Sequence, residues 1–102
     1  MMKLIIITAN KSFEPDIKKI LKHAKVSVYT HNDVNGFRDD SAETIGTNWF
    51  GSEAIENESV LFFAFVEERF VTNTKILVDQ FNQQQESNSR IHIAILNIEQ
   101  SN

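Results

Sequence analysis

A chain of 102 residues has the length of one domain, because independent domains are most often about 100–150 residues long. Fourteen acidic against ten basic residues give a net charge of −4 without an extended basic patch, which argues against nucleic acid as a partner. The chain has no cysteine, so disulfides, cysteine-ligated zinc and thiol catalysis are excluded. Hydrophobic residues make up 41% of it, enough to build a core and to disfavour intrinsic disorder.

The amino-terminal apolar run, residues 1–9, is too short to span a membrane and lacks the small-residue cleavage site of a signal peptide. We therefore expect a cytoplasmic protein that is not inserted in a membrane. Within this run, the β-branched segment 3–8 is apolar on both sides and predicts a buried strand. Pro15, between Glu14 and Asp16, then marks the start of a helix, which the apolar spacing extends over about 13–23.

The pattern changes to strict alternation from Val26, which predicts a second strand over 26–37. Residues 38–58 follow neither the helical nor the strand periodicity, which predicts a long polar loop. In compact domains, loops of this length are usually functional or disordered. Residues 59–66 predict a third strand that is again apolar on both faces. A second helix over about 71–85 and a last strand over 90–98 complete the chain.

The predicted order of strand, helix, strand, strand, helix and strand is that of the ferredoxin-like α+β fold, βαββαβ. One domain, residues 1–102, then holds a four-stranded antiparallel sheet with two helices on one face and the long loop 38–58 between strands two and three. In the two central strands, the first and the third, the side chains on both faces of the sheet are apolar. Exposing either set leaves several hundred Å² of apolar surface, so we expect a homo-oligomer that covers the open side of the sheet.

The segment Val34-Asn35-Gly36-Phe37-Arg38 is similar to the strand end that opens the T-loop of PII proteins, and Asn48-Trp49-Phe50-Gly51 lies where the tip of that loop descends. With the topology and the apolar sheet, the whole chain resembles the PII signalling proteins and the wider PII-like and CutA superfamily. The resemblance implies a non-enzymatic regulatory homotrimer with its sheets facing inward. It also implies a T-loop that binds a partner protein, with a membrane transporter as one partner class, and effector clefts between subunits.

Nucleotide-binding PII proteins have a glycine-rich turn before the last strand, because glycine lets backbone N–H groups approach phosphates. Here that turn is Gln84-Gln85-Glu86-Ser87-Asn88-Ser89-Arg90, without glycine. The resemblance therefore leaves a nucleotide or another small anion as effector, near Gly36 and Phe37. Arg38 and Arg90 flank the predicted cleft and can hold an anion by bidentate hydrogen bonds; two surface ion pairs are the alternative.

The long loop carries two further predictions. Trp49 and Phe50 are suited to anchor a partner protein, or else they pack back onto the domain or the oligomer. Asp39 and Asp40 belong to an acidic set that also includes Glu53, Glu56 and Glu58. These carboxylates can bind a cation or a basic partner, and solvation of the loop explains them equally well.

Imidazole is the commonest transition-metal ligand in a chain without cysteine, so the three histidines suggest a second class of function. His31 and His92 fall on the second and last strands, the opposite edges of the predicted sheet, where a trimer boundary could unite them around a metal. This alternative is a CutA-like or metal-handling trimer in which the loop is structural. His23 ends the first helix, where a cation offsets the helix dipole. No serine stands in a nucleophile motif, so we expect no enzyme.

Overall fold

The computed structural model describes residues 1–37 and 56–102, with residues 56 and 57 described by their backbone alone. In chain order the elements are β1 (Met2–Asn10), a 3₁₀ turn (Lys11–Phe13), α1 (Glu14–His23), β2 (Thr30–Phe37), β3 (Glu56–Glu67), α2 (Glu68–Gln84) and β4 (His92–Asn97). The strands form one antiparallel sheet in the order β2-β3-β1-β4. The predicted ferredoxin-like α+β fold is confirmed.

One face of the sheet is covered by both helices. Alternate residues of β1 and β3 point to this helix face, and the register pairs Ile5 with Ala64 and Ile7 with Phe62. All four are buried together with the apolar stripes of α1 and α2. The main buried side chains of this core are Ile5, Ile7, Val60, Phe62, Ala64 and Val66 from the sheet, Ile17, Ile20 and Leu21 from α1, and Val71 and Val78 from α2.

The entry into α1 is fixed by short-range polar contacts. The Asn10 side chain accepts a hydrogen bond of 3.0 Å from the Ser12 N–H at the start of the 3₁₀ turn. Pro15 occupies the first turn of α1, where a missing N–H costs nothing. Glu14 forms ion pairs with Lys11 at 3.7 Å and with Lys18 at 3.2 Å. A helix therefore begins where the sequence predicts one, one residue after Phe13.

The end of α1 corrects the predicted start of the second strand. Lys25 adopts a left-handed conformation with φ 67°, and the Val26 N–H binds the Leu21 carbonyl at 2.9 Å. These are the marks of a Schellman motif, in which glycine is the usual left-handed residue. Val26 is buried against the core as part of this cap, and Val28 is 80% exposed. The alternation from Val26 thus reflects capping rather than strand pairing, and β2 begins only at Thr30.

The last turn of α2 is tied to the start of β4 by one side chain. Asn82 donates from Nδ2 to the Ile91 carbonyl and accepts from the Ile91 N–H at Oδ1, both at 2.8 Å. Ile91 is 2% exposed, so these two backbone groups are shielded from water. The amide therefore satisfies a buried donor and a buried acceptor together.

We predict that Asn82→Ala lowers the free energy of unfolding by about 2–4 kcal/mol, since it leaves both buried Ile91 backbone groups unsatisfied. Urea denaturation followed by circular dichroism measures this change. Gln83→Ala is the matched control, because Gln83 is exposed on the same turn and should alter stability by less than about 0.5 kcal/mol. Equal effects of the two substitutions would contradict the role given to the Asn82 amide.

Candidate functional site

The side of the sheet away from the helices is apolar across three strands. In the register, Leu4 pairs with Phe65 and Leu96, and Ile6 pairs with Phe63 and Ala94. Because directly opposed residues point to the same side of a sheet, these side chains share one surface. We call it the open face; its members on β1, β3 and β4 are Leu4, Ile6, Thr8, Leu61, Phe63, Phe65, His92, Ala94 and Leu96.

Several of the large open-face side chains remain accessible in the single chain. Phe65 is 57% exposed and Leu96 is 40% exposed. Phe63 and Phe65 lie edge to face, with ring centroids 6.5 Å apart. A contiguous apolar surface of this kind is typical of a protein interaction site. The open face is therefore the first component of the candidate site.

Sequence reasoning predicted the apolar open side but not which residues form it. The two alternating sets of side chains in each central strand are both apolar. Only the pairing register therefore assigns Leu4, Ile6 and Phe63 to the open face. The contribution of β4 was missed altogether. In β4, His92, Ala94 and Leu96 alternate with Ile93 and Ile95. This alternation does not show which of the two sets lies on the open face until the register with the partner strand is known.

His92 and His31 lie at opposite edges of the sheet, as predicted, and also on opposite faces. His92 pairs with Thr8 on the open face. His31 pairs with Phe62, which faces the helices, and its ring stacks on the Phe62 ring at a centroid distance of 4.9 Å. Three inter-strand spacings separate the edge strands, a span of about 14 Å. One chain therefore does not bring these histidines together.

Within residues 1–37 and 56–102, no group of three histidine, aspartate or glutamate side chains is placed to hold a metal ion. A metal shared by His31 and His92 would require histidines from two subunits. His92 is half-buried, and this burial lowers the pKa of its imidazole below the ordinary value. The neutral form is thereby favoured, since desolvation penalises the charged imidazolium.

Arg90 stands at the end of the turn that precedes β4. Its guanidinium Nη1 donates to the Ser87 carbonyl at 2.6 Å and to the Ser89 carbonyl at 2.9 Å. The Ser89 N–H binds Ser87 Oγ at 3.3 Å. The arginine thus closes a turn that has no glycine, and its exposed side chain keeps a positive charge at this end of the sheet.

Gly36 and Phe37 end β2 at the same end of the sheet but at the opposite edge. Gly36 pairs with Asn57 and Phe37 with Glu56, beyond the last β1 pair, Asn10 with Ser59. Gly36 is buried and Phe37 is 67% exposed. Because β3 and β1 separate β2 from β4, the Gly36–Phe37 segment and Arg90 of one chain do not form a common pocket.

The remaining predicted site residues, Arg38, Asp39, Asp40, Trp49 and Phe50, lie outside the described residues. The strand β3 begins at Glu56, so the segment between the two strands is shorter than the predicted loop 38–58. Glu56 and Glu58 consequently belong to a strand and not to the loop.

Lys11 and Asp33 form an ion pair that joins the 3₁₀ turn to β2, with 2.5 Å between Nζ and Oδ1. The hydrogen bond from the ammonium to Asp33 raises the pKa of Lys11. Both side chains are solvent-exposed on this side of the sheet, where such pairs contribute little to stability. We assign this ion pair no functional role.

In the described parts of the chain, 1–37 and 56–102, no helix has the length and apolar character needed to cross a membrane. No protein-family model matches the sequence, and no curated protein matches it. Solved structures, in contrast, match nearly the whole chain.

One similar structure is a DUF3240 family protein from Shewanella baltica, with a TM-score of 0.67 and 14% sequence identity over 99% of this chain and 93% of that one. A second is CPII from Thiomonas intermedia, a nitrogen regulatory PII-like protein bound to ADP, AMP and bicarbonate. Its TM-score is 0.63 at 13% identity, covering 98% of this chain and 94% of that one.

A third, described as a PII-like signalling protein, comes from Thermus thermophilus; its TM-score is 0.59 at 14% identity, over 95% of this chain and 86% of that one. Identities this low establish the architecture and not the activity. The strand order, the two helices on one face and these three matches together show that the chain has a PII-like fold.

Proposed function

We propose that this chain is a non-enzymatic, PII-like regulatory protein of the cytoplasm that works as a homotrimer. In this proposal it binds a partner protein through residues 38–58 and responds to a small anion at the boundary between subunits. The observation that carries the proposal is the open face, an apolar surface on the very side of the sheet that the PII-like fold leaves without helices.

Self-assembly follows from the cost of exposing this surface. Each Å² of apolar area removed from water contributes about 25 cal/mol, and the open face presents Phe65, Leu96 and their neighbours to solvent in the single chain. A second copy of the chain offers a matching apolar surface. The number of three subunits comes from the resemblance to PII proteins.

The effector class follows from the turn before β4. CPII from Thiomonas intermedia is bound to ADP, AMP and bicarbonate. In the present chain, the turn has no glycine and is closed by the Arg90 hydrogen bonds to Ser87 and Ser89. Its backbone is therefore poorly suited to surround a polyphosphate, which needs close approach to N–H groups. A compact anion such as bicarbonate requires only one or two charged donors.

The effector site in this proposal is shared between subunits. It is formed by Arg90 of one subunit and by the Gly36–Phe37 strand end and Arg38 of a neighbour. Two subunits are needed because Arg90 and the Gly36–Phe37 segment lie at opposite sheet edges of one chain. The proposed partner site is separate and uses Trp49 and Phe50 as apolar anchors. Asp39 and Asp40 would contact a basic surface of the partner. A membrane transporter is one partner class that the resemblance to PII proteins implies.

We predict that the wild-type protein is a trimer at micromolar concentration and that Phe65→Asp shifts it to the monomer, because assembly would bury an unpaired carboxylate. Native mass spectrometry measures the subunit count, and circular dichroism checks that the variant is folded. Val28→Asp is the matched control, since Val28 is 80% exposed and lies outside the open face. A monomeric wild-type protein would refute assembly through this surface.

Bicarbonate should bind the assembled protein, and Arg90→Gln should weaken that binding by about tenfold or more through loss of a charge-assisted hydrogen bond. Isothermal titration with bicarbonate, AMP and ADP in turn measures this. Arg69→Gln provides the control, because Arg69 is engaged with Glu67 at 2.9 Å at the start of α2. Equal affinity of the Arg90 and Arg69 variants would remove Arg90 from the site, and tight ADP binding would overturn the preference for a compact anion.

Trp49→Ala should abolish capture of the partner protein from a cell extract, while Val28→Ala, a substitution of another apolar residue, should leave capture intact. Quantitative mass spectrometry of material retained on immobilised wild-type and variant proteins measures the difference. If the same proteins are retained by all three baits, Trp49 is not an anchor and the loop loses its proposed role.

A further inference from the structure

We propose that α1 docks this protein onto an anionic lipid surface through four lysines on its outer side and at its carboxyl-terminal end. These residues, Lys18, Lys19, Lys22 and Lys25, are called the lysine patch below. The inference goes beyond the proposed function, because it concerns the helix side of the sheet and requires neither the open face nor residues 38–58.

Positive charge is concentrated in one short stretch of an acidic chain. The chain has ten basic residues and a net charge of −4. Five of the ten, all lysines, fall within residues 11–25, where the carboxylates are Glu14 and Asp16. Both carboxylates belong to the first turn of α1. The stretch therefore has a local net charge of +3, and its positive end is the carboxyl-terminal half of α1.

The helical repeat places three of these lysines together on the side of α1 that faces away from the core. Lys18 and Lys22 are four positions apart, and Lys19 and Lys22 are three apart, so their Cβ atoms lie about 5–6 Å from one another. Lys19 and Lys22 are exposed and Lys18 is partly exposed. The buried side chains of α1 point to the opposite side; they are Ile17, Ile20 and Leu21.

Most of the lysine patch has no counter-charge among the residues that the structure describes. Lys18 forms an ion pair with Glu14 at 3.2 Å. The side chains of Lys19, Lys22 and Lys25 form neither an ion pair nor a hydrogen bond with any described residue. Three positive charges on this side of the domain are thus available to an anionic partner.

The neighbouring helix α2 provides the contrast. It carries two cations, and both are paired: Arg69 with Glu67 at 2.9 Å and Lys75 with Asp79 at 2.6 Å. The two helices cover the same face of the sheet, but only α1 presents unpaired positive charge within the described residues.

Lys25 occupies its position against a backbone preference. It has φ 67° in the cap of α1, where glycine is the usual residue. A residue with a Cβ atom adopts this left-handed conformation less readily than glycine does, and such conformations are enriched at functional sites. The exposed side chain of Lys25 extends the lysine patch past the end of α1, although glycine would make this cap more stable.

The composition of the lysine patch favours a lipid surface over a specific protein interface. Protein interfaces are anchored by aromatic and arginine side chains and are depleted in lysine. Within residues 14–25, all of which the structure describes, the exposed side chains other than the lysines are Pro15 and His23. Lysine is a point charge on a flexible stem, which suits fluid headgroups. Clusters of four or more basic residues on an amphipathic helix are typical of binding to anionic lipids.

The position of α1 leaves the lysine patch accessible in an assembly. Packing of copies through the open face covers the other side of the sheet, so that each copy keeps its own patch. The patch is also compact, because α1 has ten residues and a length of about 15 Å. It is therefore not the extended basic surface that nucleic acid requires.

Co-sedimentation of the full chain with vesicles tests the inference. We expect the wild type to bind vesicles made of equal parts of phosphatidylglycerol and phosphatidylcholine, and not vesicles of phosphatidylcholine alone. Lys19→Gln/Lys22→Gln should weaken binding by about tenfold or more, because each lysine near an anionic surface contributes about fivefold in affinity. Raising the salt from about 0.1 M to about 1 M shortens the Debye length from about 10 Å to about 3 Å and should release the protein.

The matched control is Arg69→Gln/Lys75→Gln, which removes two positive charges from α2 and should bind the anionic vesicles like the wild type. Lys25→Gly adds a readout that a purely structural role would not move. It should raise the urea midpoint, because glycine suits the left-handed position, and at the same time weaken vesicle binding by about fivefold. Circular dichroism checks that each variant is folded.

Four results would overturn the inference: no sedimentation of the wild type with anionic vesicles, equal binding to neutral vesicles, equal losses in the two double variants, or a Lys25→Gly variant that binds like the wild type. A wild type that binds a polyglutamate peptide but no vesicle also overturns it, and identifies an acidic protein segment as the occupant. The proposed function is tested separately, since the subunit count by native mass spectrometry depends on the open face and not on the lysine patch.

Discussion

Two central strands with apolar side chains on both sides dominate this structure. The helices α1 and α2 can cover one side of β1 and β3, and they do so with a dense core around Phe62 and Ile7. The other side carries Leu4, Ile6, Phe63 and Phe65 with no layer of the described chain above it. The need to cover this second side is the basis of the proposed assembly of several copies of the chain.

The last turn of α2 connects the core to the start of β4. Asn82 holds the backbone of Ile91, so the residues on either side of Ile91 are fixed in place as well. One of them is Arg90, the proposed anion ligand, and the other is His92, which pairs with Thr8 of β1. A single amide on a helix thus sets the start of β4 and the position of the two residues that flank Ile91.

The element order and the fold could be predicted from the sequence because the periodicity of each segment is strong and most connections are short. The start of β2 could not be predicted, because Val26 is buried in the C-cap of α1. An alternating pattern does not distinguish a buried helix cap from a paired strand. The candidate site was predicted in part. The edge positions of His31 and His92 followed from the element order. Their placement on opposite faces depends on the register, which pairs His31 with Phe62 and His92 with Thr8. The hydrophobic pattern does not determine this register, because the two central strands are apolar on both faces.

The pairing of β2 with β3 continues past the end of β1. Asn35, Gly36 and Phe37 pair with residues 58, 57 and 56, while β1 stops opposite Ser59. Among the residues that the structure describes, the last pairs therefore form a two-stranded ribbon with no third strand beside it. Two-stranded ribbons are marginally stable in isolation and twist readily. A molecule that binds this ribbon would therefore act on a part of the sheet that lies outside the core around Phe62 and Ile7.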